Sequence, residues 1–365
     1  MIRTLLALVP LLMIFSQVKG QEVIPFDSEQ WSYDGTYSIE EYKGAKALLL
    51  SPGSTAELPG ISMKDGIIEY DVAFGAQRGF VFTFFRMVDN INHEELYFRP
   101  HRSGDPDAIQ YTPNYNGVHG WQLYQGPNYS IDYKYKDNEW MHIKMVIKGA
   151  RMEVFIDNMK IPALEVFELR RDPVAGYIAF RSILTDTRIA NVTVSQPNTI
   201  QFVGESTQVP QLAPEVVSSW EVSNAFAKNR LGLELNHMRL EDLAWSDVDT
   251  EFTGVANLAR VGVLNEEENT VLAKFIVHSE IEQLKQLEFG YSDIARIYVN
   301  GKAVYDGQRE FLSRDYRYQG TVGFFDSLFL DLKQGENEIV FAVTEELGGW
   351  GVLARFVDLE KITVF

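Results

Sequence analysis

The chain has 365 residues, 45% of them hydrophobic and 13% aromatic, with a formal net charge of −18 and no cysteine. That length exceeds one ordinary domain and is enough to bury sizeable cores. The acidic balance argues against nucleic acid and anionic membrane surfaces as partners, and the missing thiol excludes disulfides and cysteine catalysis. Neither excludes a neutral polymer such as a glycan.

Residues 1–20 read as an export signal: Arg3 supplies the basic start, Leu5 to Phe15 an apolar run, and Val18-Lys19-Gly20 a modest stretch before a cut at Gln21. The run is too short to span a bilayer. Removing the segment takes Lys+Arg from 33 to 31 against 51 acidic residues, a mature net charge of about −20. With no cysteine to carry a lipid, a secreted or periplasmic cell-envelope location is expected, without membrane insertion. Asn128-Tyr-Ser and Asn191-Val-Thr match the glycosylation triplet, a pattern common by chance.

Residues 22–196 form the first predicted domain. "GIIEYDVAF", "GFVFTFFRMV", "EELYFRP", "WMHIKMVIKGARMEVFIDNMKI" and "GYIAFRSIL" alternate or run apolar at strand length, separated by Gly, Asp, Asn and Pro. Gly149-Ala150 and Asp157-Asn158 read as turns, and "RIANVTV" closes the half as a last strand. Residues 197–215, "PNTIQFVGESTQVPQLAPE", hold three prolines and read as a linker. Residues 216–365 form the second domain, with strands in "VLAKFIVHS", "KQLEFGY", "ARIYVNGKAVYDG", "LFLDLKQGENEIVFAVTE" and "VLARFV". Asn300-Gly301 is a strong hairpin signal and Gly335-Glu336-Asn337 a further turn. "LEDLAWSDVD" and "IEQLKQLE" each suit a short helix without clear caps. Short strands with turn chemistry about every ten residues predict an all-β protein: two antiparallel β-sandwiches or jelly rolls in tandem.

The first half resembles concanavalin A-like jelly rolls, and more closely the laminin-G-like and 3-keto-disaccharide hydrolase-type domains of secreted bacterial proteins. "GIIEYDVAF", "GFVFTFFR", "ELYFRPHRSGDPDAIQYTPNYNGVHGWQLY", "WMHIKMVIKGARMEVFIDN" and "GYIAFRS" carry that resemblance over roughly 170 residues. The second half resembles a galactose-binding-like β-sandwich through "DTEFTGVANLARV", "FGYSDIARIYVNGKAVYDG" and "LDLKQGENEIVFAVTEELGGWGVLARF". The resemblance implies association with carbohydrate. It leaves open whether the domain binds a sugar or cleaves one, because fold alone does not deliver function.

The densest chemistry lies in "YFRPHRSGDPDAIQY". On a strand, Glu95, Tyr97, Arg99 and His101 share one face, while Leu96, Phe98 and Pro100 share the apolar other. Asp107, Gln110 and Tyr111 follow on the next strand; His119, Trp121, Gln122 and Tyr124 come after; Arg181 is expected near Arg99. Aromatic faces cover the apolar patches of sugars, and charged or amide groups hold their hydroxyls. The expected ligand-binding set is therefore Tyr97, Arg99, His101, Asp107, Gln110, Trp121 and Arg181. An internal network, with Arg99 and Arg181 fixed by Asp105 or Asp107, is the alternative.

Hydrolysis normally needs two flanking carboxyl groups. The Glu-x-Asp-x-x-Glu spacing of jelly-roll glucanases is absent, and Glu94 and Glu95 face opposite ways, so no catalytic residue is assigned and a non-catalytic carbohydrate binder is favoured. A glycosidase or a 3-keto-glycoside hydrolase, with His101 or His119 as base, is the enzyme alternative; a structural envelope protein is the other. His93, His101 and His119 match no zinc spacing. No cofactor is expected, although a structural calcium is conceivable. In the second half, Trp350 in "EELGGWGV" offers either a sugar platform, with Asp293 and Tyr318 near it, or a core plug. No Gly-x-Ser-x-Gly or phosphate loop occurs.

Overall fold

The computed structural model describes residues 22–204, 209–309 and 321–365. The expected export signal and Tyr318 lie outside them. The chain is all-β, with only five short 3-10 turns among the described residues. No helix among those residues is long and apolar enough to cross a membrane.

The first half folds into two sheets. One runs, in spatial order, through Ser32–Asp34, Thr55–Met63, Gly176–Ile183, Phe80–Asp89, Asn92–Phe98, Ile109–Tyr115 and Ser130–Ile131, with Val118–His119 paired beside Ile109–Tyr115. The other runs through Leu164–Val166, Arg151–Ile156, Met141–Lys148, Gly66–Phe74, Thr187–Ser195, Ala45–Leu50 and Tyr37–Tyr42. Their facing sides interdigitate in one core that includes Leu96, Phe98, Tyr111, Tyr70, Met145 and Phe180. Each of these residues alternates with a neighbour on the opposite face, as the pleat requires.

The second half adds two more sheets: Trp245–Asp249, Ser219–Ser223, Thr270–Ser279, Gly335–Thr344, Ile294–Val299 and Lys302–Gln308 in the larger, with Ile362–Val364 on Thr270–Ser279, and Ala256–Asn257, Gly351–Phe356, Gln283–Ser292 and Asp326–Leu332 in the smaller. Trp220, Phe275, Phe289, Phe341 and Trp350 fill the space between them.

The turns follow the predicted chemistry. Lys148 pairs with Arg151 across Gly149-Ala150, and Val299 with Lys302 across Asn300-Gly301, both of which hold positive φ. Asp157 also takes positive φ, but there it opens a longer loop to Leu164.

Two expectations of helix are corrected. "IEQLKQLE" enters the strand Gln283–Ser292, which pairs on both edges. Leu287 is buried in the core while Leu284 faces out, so sheet pairing overrides a modest helix propensity. "LEDLAWSDVD" gives a single 3-10 turn, Leu240–Asp242, and then the strand Trp245–Asp249. The expected linker is partly docked. Ile200 packs on Val146 and Phe155, and the amides of Val203 and Gly204 donate to the buried Glu153 carboxylate at 2.9 and 2.8 Å.

The two halves share an interior. Val255 and Leu353 join the first core, and Val118 joins the second. The Tyr124 hydroxyl donates to Glu251 Oε1 at 2.9 Å and accepts from Asn257 Nδ2 at 3.1 Å. Gly349, at φ +142°, lies where an added Cβ would sit 3.1 Å from Leu123 and 3.2 Å from the Gly120 Cα. The glycine lets the backbones of the two halves meet.

Candidate functional site

The strand Asn92–Phe98 sits inside its sheet, between Phe80–Asp89 and Ile109–Tyr115. Its even-numbered Leu96 and Phe98 enter the core. The odd side faces away from that core, and cross-strand pairing aligns Arg181, Phe82, Tyr97 and Gln110 in one row. Ala179, Phe84, Glu95 and Thr112 form the next row. Phe82, Phe84, Tyr97 and Ala179 pack into an apolar patch, with Phe80, Trp121 and Ile183 against it. The Phe82 and Tyr97 rings stack at 5.2 Å between centroids.

This patch floors a cavity of about 660 Å³. Phe80, Phe82, Tyr97, Trp121 and Ile183 supply apolar surface from the first half. Arg78, Glu95, Arg99, His101, Arg102 and His119 supply polar groups. Leu264 and the segment Glu345 to Gly348 close it from the second half. The site therefore lies at the junction of the two halves, where ligand pockets commonly form.

Of the sequence-predicted residues, Tyr97, Arg99, His101 and Trp121 line this cavity. Asp107 and Gln110 stand behind it. Arg99 donates to the Asp107 carboxylate, to the Tyr97 hydroxyl and to Gln110 Oε1 (2.8 Å). Gln110 Nε2 donates to the carbonyls of Trp121 (2.8 Å) and Tyr124, and Arg102 Nη2 reaches Asp107 Oδ1 at 3.0 Å. Most of the polar chemistry of "YFRPHRSGDPDAIQY" is thus spent internally, anchoring the wall. The guanidinium of Arg99 also lies over Trp121, 5.5 Å from the ring centroid.

Strict alternation ends at Arg99, because Pro100–Arg102 is a 3-10 turn. That turn brings His101 edge-on to Phe80 at 5.4 Å. Burial and the neighbouring arginines hold the His101 pKa below its ordinary value. Arg181 shares the sheet face and pairs with Phe82, but it is not among the residues that line the cavity.

In the second half, Trp350 is fully buried and its Nε1 donates to the Val343 carbonyl at 3.0 Å. It is a core plug and offers no platform. Asp293 is also buried; its Oδ2 accepts from the amides of Glu346 and Leu347 at 2.8 and 2.7 Å. It braces the loop that closes the cavity.

The sequence did not single out Phe80, Phe82 or Glu345. Phe80, Phe82 and Phe84 carry a usable signal, since period-2 aromatics on one strand mark one face. Glu345 carries none, because only the folded junction brings it to the strand that bears Glu95. His119 reaches the wall through the hairpin turn Asn116-Gly117, both residues at positive φ. Its Nδ1 donates to Glu95 Oε1 at 2.9 Å. The carboxylate is sealed, while the imidazole is 44% exposed. Burial works to raise the Glu95 pKa, but the charge and hydrogen bond of His119, together with His93, outweigh it and hold the carboxyl at about 2. Glu95 in turn raises the His119 pKa.

Glu345 is the opposite case. Burial, then Asp293 and Glu346, push its carboxyl well above the usual range. Its Oε1 accepts from the Gly349 amide at 2.9 Å, and its Oε2 has no hydrogen-bond partner. Among the described residues, no group of three or more His, Cys, Asp or Glu side chains is placed to hold a metal ion.

No family model matches the chain, and no curated protein matches it. Solved structures do. The carbohydrate-binding module CBM66 from Bacillus subtilis is 17% identical, with a TM-score of 0.37, covering 46% of this chain and 96% of that one. A Bacillus subtilis protein of unknown function with a galectin-like fold is 16% identical (TM-score 0.34; 46% and 89% covered). A Bacillus licheniformis β-glucanase is 14% identical (TM-score 0.35; 50% and 100% covered). Each spans about half of the present chain, and none carries information on its ligand.

Proposed function

We propose that the protein is exported and that the cavity between its two halves binds carbohydrate. The observation that carries this reading is the composition of the cavity. An aromatic floor of Phe80, Phe82, Tyr97 and Trp121 is ringed by Arg78, His101, His119 and Glu346. A sugar ring needs an apolar surface under its C–H face and charged or hydroxyl-bearing partners at its edge. The volume of about 660 Å³ falls in the range of about 300–1,000 Å³ usual for small-ligand sites.

The test is a glycan array probed with the full chain and with Trp121→Ala and Phe80→Ala. Saturable binding to a glycan by the parent, lost in both variants, supports the reading. Binding that survives both variants places the ligand elsewhere.

A further inference from the structure

The cavity wall holds two groups that a binding site does not require. One is Glu345, a buried carboxyl whose Oε2 meets no partner although the side chain lines the cavity. An orphaned buried polar atom costs about 1–3 kcal/mol, and a catalytic role is one of the accounts of such an atom. Glu345 differs from Glu251, whose buried Oε2 also lacks a hydrogen bond, in lining the cavity. The other is His119. Glu95 holds its Nδ1, which fixes the ring and leaves Nε2 as the nitrogen free to act. Both side chains line the same cavity.

The loop bearing Glu345 is braced rather than slack. The Gly349 amide bonds Glu345 Oε1, Asp293 holds the amides of Glu346 and Leu347, and the Gln122 amide of the first half donates to the Gly348 carbonyl at 2.9 Å.

We propose that the cavity is a hydrolytic active site for a glycoside, with Glu345 as general acid, His119 as general base and Glu95 as the positioning residue for His119. This rests on the carbohydrate reading above. In the step, Glu345 gives its proton to the glycosidic oxygen as the bond from that oxygen to the anomeric carbon breaks. A water adds its oxygen to that carbon and gives a proton to His119 Nε2. The products are two sugars with free hydroxyls. A proton passed through solvent from His119 back to Glu345 restores both groups. Neither an oxidant nor a further reactant is needed. Burial holds the Glu345 carboxyl protonated above the ordinary carboxylate range, while the Glu95 charge raises the His119 pKa. The base form therefore exists only above that raised pKa, and turnover should rise with pH through it.

The experiment uses the full chain, 4-nitrophenyl glycosides and unmodified oligosaccharides of the common hexoses, pentoses and uronic acids. Binding is read by calorimetry and cleavage by product release. The expected result is turnover of at least one bound sugar. Glu345→Gln and, separately, His119→Asn should lower kcat at least 100-fold, and Glu345→Gln should change Kd less than threefold. Glu95→Gln should lower kcat by about tenfold and shift the acid limb of the pH profile downward, because His119 loses the charge that raises it. The other charged groups facing this pair are His93 at Glu95, Arg181 at His119, and Asp293 and Glu346 at Glu345; Arg181→Gln removes a charge that lowers the His119 pKa and should shift the acid limb of the pH profile upward. A parent that binds a sugar and cleaves none overturns the catalytic proposal and leaves the binding reading intact. Turnover that survives both Glu345→Gln and His119→Asn overturns the assignment. A parent that binds nothing in the panel removes both.

Discussion

Glu95 and His119 form the best-defined pair at the cavity wall: a sealed carboxylate accepts from an open imidazole at 2.9 Å. The raised His119 pKa means that this pair stabilises the fold fully below the unfolded histidine pKa and loses that contribution as pH rises through the folded value. The lowered Glu95 pKa sets the other limit, with stability lost as pH falls toward about 2. Titrating His119 by NMR should therefore give a pKa above that of a free histidine, and Glu95→Gln should return it toward the ordinary value. An unchanged titration would show that the carboxylate does not govern it.

The network behind the wall makes a second prediction. Arg99 and Asp107 form a buried ion pair, and breaking a buried pair by removing one partner costs about 3–5 kcal/mol. Asp107→Ala should lower the thermal midpoint accordingly, because Arg99 is left charged and enclosed. Tyr97→Phe removes only one member of the network and should cost about 1 kcal/mol. Equal losses in the two variants would contradict the central place given to the ion pair.

A third prediction concerns the junction. Tyr124 satisfies both Glu251 and Asn257 across the halves, and the two cores exchange residues there. Unfolding followed by calorimetry should show one cooperative transition for the whole chain. Tyr124→Phe should lower it, since Glu251 Oε1 loses its donor at a cost of about 1–3 kcal/mol while Oε2 keeps its ion pair with Arg170. Two transitions well separated in temperature would contradict a shared interior.

The fourth prediction separates core from site in the second half. Trp350→Ala should destabilise by about 3–5 kcal/mol through the cavity it leaves, whereas Trp121→Ala, at the half-buried rim, should cost less stability and much more affinity. Denaturant midpoints and glycan affinity measured on the same samples distinguish the two effects.

How much of this was legible in sequence varies by residue. Strand parity placed Leu96 and Phe98 in the core and Glu95 and Tyr97 on the opposite face, since period 2 is fixed by the pleat. It failed beyond Arg99 because Pro100 starts a 3-10 turn. The composition of "YFRPHRSGDPDAIQY" pointed to the right wall, but Asp107 and Gln110 serve Arg99 rather than the cavity, and no local pattern distinguishes those two uses. The Asn116-Gly117 hairpin that presents His119 carried a readable turn signal. Glu345 was beyond reach, because its position depends on how two sandwiches dock.

The most direct test of the central claim is hydrogen–deuterium exchange of the full chain with and without a glycan selected on the array. The account predicts simultaneous protection of the segments around residues 92–102, 117–123 and 345–349, the three walls of one cavity contributed by both halves. Protection confined to another surface, such as the smaller pocket around Lys228 and Arg296, with those three segments unchanged, would contradict it.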